Sequence, residues 1–570
     1  MARRINEDSL RLRHTDGGQI AVQAGILATA SLVVRMIGLL YQAPLTAIIG
    51  DEGNGYYSLA YNIYIIILLI SSYSIPSAVS KIMAQKLALG EYRNVQRIFR
   101  VSLGYVLVIG TAAGLFMFFG ASLLVGPGSV PVLRVFAPTI FLFGILGVLR
   151  GYFQAHSSML QTSLSQIIEQ IVNAGMSLLA AWLLMRRVRG ESTTTRAIYG
   201  AAGSALGTGC GVLAGLLFML WVYGLNRRRI QRRCERDRTG QEDGYASILR
   251  TVIAVVTPFV LSSFILNFTT TLNQTIYTRM LMRLRGLDEA AVTMVYGIFS
   301  RKATVITNIP ISIATATSAA VIPSISASFA RQDRPETLRR CRSAVRLTAI
   351  VAVPSAIGLM VFARPVTMLL FPQQASLTQA SSLLRALAVT VFFYSVSTVT
   401  NAILQATEHM NLPLVSAVLA LAVQTVILAV LLSSGRMDIY ALVIASIVYS
   451  VLIFAANEFF MRKYLGRGAS LSLRGYGRIL ASALIMGAGA GAVYRLCSLL
   501  LGFAGLKGGE GAPLRAQYLA NLLALLPALF AAVCLYAFML VRSGAVKETD
   551  LMSMPRGSSL IRLLRKLRWL

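Results

Sequence analysis

Acidic residues, histidine and paired cysteine are all scarce in this sequence, and each scarcity removes a class of chemistry. Asp and Glu number 22 against 53 Lys and Arg. Few carboxylates fall inside apolar stretches, Glu169 and Glu458 among them, which speaks against a proton-coupled exporter of cationic drugs. The three histidines are scattered. The five cysteines (Cys210, Cys234, Cys341, Cys497, Cys534) show neither CxxC nor metal-ligand spacing and read as small apolar fillers. No Walker A, GxSxG, HExxH or DxD pattern occurs, so nothing points to ATP hydrolysis or a covalent nucleophile. No metal, catalytic residue or cofactor is expected.

Charge as a whole is also low. Only 13% of residues are Asp, Glu, Lys or Arg, while 56% are hydrophobic and the mean hydropathy is +0.68. Soluble domains carry about 25% charge. Runs of roughly 20 apolar residues, enough to cross a ~30 Å hydrocarbon core, recur throughout. The alternation of a membrane β-barrel is missing. The reading is an all-α polytopic membrane protein of about fourteen spans. They are expected near 20–48, 55–86, 100–121, 130–153, 159–185, 198–225, 247–277, 290–326, 343–363, 378–406, 411–433, 438–461, 474–502 and 515–541. The N-terminus is not expected to be a cleaved signal peptide, because Glu7, Asp8 and Asp16 interrupt its basic region.

A net charge of +31 raises the question of nucleic acid, but position decides against it. Lys and Arg gather in alternate loops: the N-terminal tail, 86–100, 227–250, 331–346, 462–478 and the C-terminal tail. These hold 34 of the 53, against roughly 10 in the opposite loops. Both termini are therefore expected in the cytoplasm, with an even number of spans. One segment, RRVRG at 186–190, falls on the other side against the rule. The basic face is expected to lie against anionic lipid.

The chain repeats itself. LRVFAPTIFLFGILGVLRGYFQAHSSM (133–159) aligns without a gap on LRALAVTVFFYSVSTVTNAILQATEHM (384–410), sharing Leu133, Arg134, Ala137, Thr139, Phe141, Val148, Gln154, Ala155 and Met159. IPSAVSKIMAQ (75–85) likewise echoes IPSISASFARQ (322–332). Two echoes in the same order give two pseudo-symmetric six-helix lobes and two extra helices. The expected divisions are an N-terminal lobe at 1–226, a charged and mobile linker at 227–250, a C-terminal lobe at 251–464, and two further helices with a basic tail at 465–570. Each lobe crosses an even number of times, so the repeats are parallel, an arrangement that places a substrate site at the lobe interface. The polar break LRGYFQAHSSM (149–159) reads as the cytoplasmic turn between spans 4 and 5.

Polar side chains at bilayer depth normally face a wet cavity or a partner. Ser31, Arg35, Gln42 and Thr46 share a face of span 1, with Arg35 near the midplane. Span 5 offers Gln166, Glu169, Asn173 and Ser177; span 7 offers Ser263, Asn267, Thr270 and Gln274; span 8 offers Arg301, Lys302, Thr304, Asn308, Ser312 and Thr315. Arg35, Arg301 and Lys302 are the candidate cations of a substrate cavity, with Gln42, Glu169, Asn173, Asn267 and Asn308 as its polar lining. The Ser and Thr members are equally open to isolated hydrogen bonds between helices. Glu169 has two readings, a coupling group or a salt-bridge partner for a cation. Pro76, Pro310 and Pro323 are expected to kink spans 2 and 8, and Gly487, Gly489 and Gly491 to let span 13 pack closely.

Three stretches carry a family resemblance: RGYFQAHSSMLQTSLSQIIEQIV (150–172), VRMIGLLYQAPLTAIIGDEGNGYYSLAYNIY (34–64) and SIPSAVSKIMAQKLALGEYR (74–93). Together they resemble the SpoVB/YtgP group of bacterial polysaccharide flippases, which is MurJ-like and belongs to the multidrug/oligosaccharidyl-lipid/polysaccharide (MOP) exporter superfamily. The resemblance implies a MATE-like pair of lobes around a central cavity in the bacterial cytoplasmic membrane. It further implies a lipid-linked saccharide diphosphate as substrate, a groove for the lipid tail at spans 13 and 14, and a first-helix arginine matching Arg35. This sequence departs from the MurJ-like pattern at Tyr41 and Gln42, where an Arg-Asp pair is usual. It departs again at Val305, with Arg301 one turn from the usual arginine. Lipid II, a spore precursor and a capsule precursor thus all stay open as substrates. The chain is expected to act as a monomer, driven by Na+, H+ or the membrane potential. A cation-coupled MATE-like exporter is the alternative.

Overall fold

A backbone in hydrocarbon has no water to satisfy its N–H and C=O groups, so apolar segments of this length close their hydrogen bonds internally as helices. In the computed structural model all regular structure among the described residues is helical. Those residues are 2–544 except Ser74, Ser157, Arg236, Arg238, Gly240, Gln241, Met410, Arg436 and 504–512. The basic tail at 545–570 and the side chains of Ser31, Ser263 and Pro323 lie outside them.

The chain begins with α1 (Ala2–Leu68), a π-helical turn (Leu69–Tyr73) and α2 (Ile75–Ala88). Next come α3 (Tyr92–Phe119), the short α4 (Ala121–Leu124), α5 (Val130–Ala155), α6 (Met159–Arg187), α7 (Thr193–Glu235) and α8 (Tyr245–Arg285). After α9 (Glu289–Gly297), a second π-helical segment (Ile298–Ala303) leads into α10 (Thr304–Ala330) and α11 (Arg334–Val361). The last elements are α12 (Ala363–Leu370), α13 (Gln374–Ala406), α14 (Asn411–Ser433), α15 (Ile439–Tyr464), α16 (Leu473–Phe503) and α17 (Leu514–Arg542).

Eleven stretches of the described residues are long and apolar enough to cross a membrane. One of them, Val33–Ala88, covers the first two expected spans. These are separated by a kink at Gly50 (φ 71°, ψ −178°) rather than by a loop. A side chain at that φ/ψ would be strained, so glycine there turns GDEGNG into a bent helix. Expected spans 7 and 8 correspond to α8 and to α9 through α10, which fall outside the eleven. The break in span 8 lies at the π segment Ile298–Ala303, while helix continues through Pro310. Pro76, by contrast, stands in the first turn of α2, directly after the π turn that interrupts span 2. The sequence echo survives in the fold: α5 ends at Ala155 and α13 at Ala406, the same 251 residues apart.

The chain forms two compact units. The first takes Met1–Thr278 and Leu287–Gly297, the second Arg279–Gly286 and Ile298–Leu570. This partition differs from the repeat-based lobes, because α8 packs with the first unit. Gln274 of α8 donates to the Leu59 carbonyl (3.0 Å), and Asn62 donates to Gln274 (2.6 Å).

Within the first unit, α6 and α7 meet along glycines four residues apart. A Cβ at Gly203 would lie 2.5 Å from Ala181 N, at Gly207 2.2 Å from Ser177 Oγ, and at Gly211 2.6 Å from the Glu169 carbonyl. Only a glycine face lets the two backbones approach so closely. In the second unit α16 packs on α11 and α17 through the expected glycines: Gly487 meets Ile357, and Gly489 meets Leu535. Large apolar side chains such as Phe119, Trp221 and Phe530 point outward, as lipid-facing residues do.

The described part of the charged linker is docked, contrary to the mobile segment its composition predicts. Asp237 accepts from the Arg93 backbone N–H (2.8 Å), Asp243 pairs with Lys86 (2.7 Å), and Glu242 pairs with Arg93 (3.4 Å) and Arg97. Lys86 also pairs with Glu91 (2.8 Å), which accepts from Asn94 (2.7 Å). The acids of the linker thus find the bases of the α2–α3 turn.

Candidate functional site

A buried polar centre of the first unit begins with Arg150, one turn before the end of α5. α5 ends at Ala155 and α6 begins at Met159, and Ser165 and Glu169, four residues apart on one face of α6, come opposite Arg150. Arg150 Nε donates to Ser165 Oγ (2.9 Å) and its Nη2 to Glu169 Oε2 (2.7 Å). The arginine is 6% exposed. A guanidinium so buried needs both partners, and it has them. Of the two readings of Glu169, the geometry supplies the salt-bridge partner. The cation is Arg150 of the polar break, which sequence reasoning treated as a turn.

One turn further along α6, Asn173 Oδ1 accepts from Ser177 (3.0 Å) and Thr208 (3.4 Å), and Thr208 meets the Tyr57 hydroxyl (3.3 Å). Tyr57, Tyr61 and Tyr64 pack around Phe136, Tyr64 stacked on it, Tyr57 edge-on and Tyr61 tilted. Gln42 has a different setting from the expected cavity lining. It is buried, donating to Asn54 (3.4 Å), while Asn54 donates to Thr46 (2.9 Å). These three side chains bridge the Gly50 kink and hold its two arms together. Arg35 is exposed on the α1 face that approaches α6, where a Cβ at Gly38 would lie 3.3 Å from Gln170. Asn267 is exposed on α8.

In the second unit, Arg301 and Lys302 both stand in the π segment Ile298–Ala303. Such bulges re-aim side chains within a helix and recur at functional sites. Lys302 is 1% exposed and its Nζ donates to Ser376 Oγ of α13 (2.6 Å). Arg301 is half-buried, and Asn308 is exposed on α10. Arg35, Gln42, Glu169, Asn173 and Asn267 thus belong to the first unit, and Arg301, Lys302 and Asn308 to the second. Among the described residues no three His, Cys, Asp or Glu side chains gather as a metal site would require.

Sequence reasoning missed Arg150, an arginine-lined cavity at the foot of α16, and the trio that Asn62 makes with Gln274 by donating both to it and to the Tyr296 hydroxyl (3.1 Å). For the trio a signal existed. Gln274 was on the polar face of span 7, and Asn62 is an isolated amide in the apolar run YNIYIIILL.

Helices this long and apolar define the class: a multi-pass membrane protein. Residues 20–329 match the family model described as polysaccharide biosynthesis protein, and 262–431 match the MatE model. The chain belongs to the polysaccharide biosynthesis protein family. It is 24% identical over 470 residues to stage V sporulation protein B of Bacillus subtilis (strain 168), covering 81% of this chain and 87% of that protein. It is 22% identical over 469 residues to the lipid II flippase MurJ of the same organism, covering 79% and 85%. A solved MurJ structure in an inward closed conformation superposes with a TM-score of 0.64 at 12% identity, covering 90% of this chain and 97% of that one. The fold is therefore shared with MurJ, as the motifs at 34–93 and 150–172 implied.

Proposed function

We propose that this protein is an alternating-access flippase that carries a polyprenyl-diphosphate-linked saccharide across the bacterial cytoplasmic membrane. The observation that carries the reading is similarity, over about four-fifths of the chain, to one relative named as a lipid II flippase and another named for sporulation. The physical chemistry supports it. A saccharide diphosphate cannot cross hydrocarbon unaided, and arginine binds phosphate oxygens through paired donors. Arg35 and Arg301 are the cations assigned to the diphosphate, with Asn173, Asn267 and Asn308 as polar contacts, while Lys302, buried against Ser376, anchors the segment that carries Arg301. Glu169 and Gln42 act on the protein's own architecture, through Arg150 and the Gly50 kink. The basic loops face the cytoplasm and anionic lipid, and a cation gradient or the membrane potential drives the cycle.

A second reading, a MATE-like cation-coupled exporter, draws on the MatE match across 262–431. One experiment separates the two. Expression in cells depleted of their lipid II flippase rescues growth if the substrate is lipid II or a close relative. Failure of rescue together with extrusion of a cationic dye would favour the exporter.

A further inference from the structure

The second unit holds a cavity of about 500 Å³ whose walls carry five arginines. Arg342 and Arg346, one turn apart, project from α11; Arg462 comes from the last turn of α15; Arg474 and Arg478, again one turn apart, come from the start of α16. No acidic residue lines the cavity among the described residues. Arg342 is oriented by donating to the Gly468 carbonyl (3.0 Å), and Arg462 is held by Glu458 (2.7 Å) behind the wall. Like charges at one-turn spacing destabilise a helix. Here two such pairs, on two helices, face one space.

Two further features fit an anion. The N-terminus of α16 opens onto the cavity and adds the positive end of its dipole. Leu473 beside it is 84% exposed, an apolar contact at the rim of a charged pocket. All five arginines lie in the 331–346 and 462–478 loops and helix ends, which the charge distribution assigns to the cytoplasmic face. Basic pockets between helices on that face take anionic headgroups.

We propose that this cavity is a binding site for an anion carrying two phosphate groups, one held by the α11 pair and one by the α16 pair. Guanidinium forks match phosphate oxygens two at a time, and four forks in facing pairs suit two phosphates better than one. The same chemistry is offered by a lipid with two phosphodiesters, such as cardiolipin, and by a soluble diphosphate. The site is independent of the flippase reading, because it is defined by binding and not by transport.

The test uses the full chain in nanodiscs of phosphatidylcholine. Inorganic pyrophosphate is titrated in one arm, and cardiolipin is raised as a mole fraction in the other, each followed by the shift in thermal unfolding. Wild type should saturate with at least one probe; saturation by pyrophosphate marks a soluble ligand, and saturation by cardiolipin alone marks a lipid. Arg474→Gln with Arg478→Gln should weaken that binding by about tenfold per arginine. Arg474→Lys with Arg478→Lys, which keeps the charge and loses the fork, should restore only part of it. Arg187→Gln with Arg189→Gln, exposed basic residues at the end of α6 in the segment that falls on the opposite side, should leave it unchanged. The proposal is overturned if neither probe saturates, if the α16 pair can be replaced without loss, or if the α6 control weakens binding equally. Unfolding without probe, matched to wild type, separates loss of the site from loss of the fold.

Discussion

Replacing Glu169 by Gln tests whether the carboxylate serves Arg150 or the transport cycle. The side chains of Arg150 and Glu169 are 7% and 23% exposed, and the guanidinium also donates to Ser165. Breaking a fully buried pair from one side costs about 3–5 kcal/mol, because the remaining charge is left without compensation. Glu169 is open enough for water to reach it, so Arg150→Met should cost about 3 kcal/mol, the lower end. Glu169→Gln leaves an amide oxygen for Arg150 and should cost about 2 kcal/mol. The double variant removes both charges. It should lose about 2 kcal/mol, far less than the sum, which gives a coupling energy of about 3 kcal/mol. Unfolding of each purified protein in the same detergent, as a double-mutant cycle, supplies the numbers. Additive losses would refute the pairing argument. A Glu169→Gln protein as stable as wild type that has lost only its response to an ion gradient would make Glu169 a coupling group.

Arg35→Ala and Arg301→Ala should each abolish transport of the lipid-linked precursor in the flippase-depletion assay while the protein still inserts, and Arg35→Lys should recover part of it at best. Normal rescue by both alanine variants would remove them from the substrate site. Gly207→Ala should destabilise the protein by about 1–3 kcal/mol, since its methyl group would land on Ser177, whereas Gly175→Ala, with open space around it, should not; unfolding midpoints compare the two. In the linker, Asp237 is held below the usual carboxylate range by the Arg93 backbone N–H and then by Thr239. Docking should therefore be intact above the ordinary Asp value and weaken as pH falls through the lowered one, read as a loss of amide-exchange protection within 227–250 relative to the intrinsic rate at each pH; Asp237→Asn should be unprotected throughout. Thr239→Cys should resist an impermeant thiol reagent on intact cells, and labelling from outside would invert the topology.

The parts of the fold legible beforehand are those set by local composition. Span positions follow from runs of Leu, Val, Ile and Phe, and the repeat from residues such as Gln154 and Gln405 that apolar helices rarely share by chance. What stayed hidden depends on partners distant in sequence. Glu169 finds Arg150 only because α6 packs beside the end of α5, which brings Ser165 and, one turn beyond it, Glu169 against the guanidinium. The linker read as mobile because Asp237, Glu242 and Asp243 meet Arg93, Arg97 and Lys86 some 150 positions away. Gln42 shares a helical face with Arg35, and that face pattern could not show that Gly50 bends the helix until Asn54 reaches Gln42.

The glycine face of α7 has a property beyond letting two helices touch. Gly203, Gly207, Gly211 and Gly215 repeat every four residues, so sliding α7 by one such step, about 6 Å, sets glycine where glycine was. Van der Waals contact alone is nearly degenerate under that translation and cannot say which of the neighbouring alignments is correct. The polar bonds can. Ser177 donating to the Ser204 carbonyl (3.1 Å) survives the step, since every residue offers a carbonyl, but the Thr208 hydroxyl that donates to Asn173 and meets Tyr57 is lost when Val212 takes its place. The glycines make a smooth track, and a few hydroxyls and one amide act as its detent.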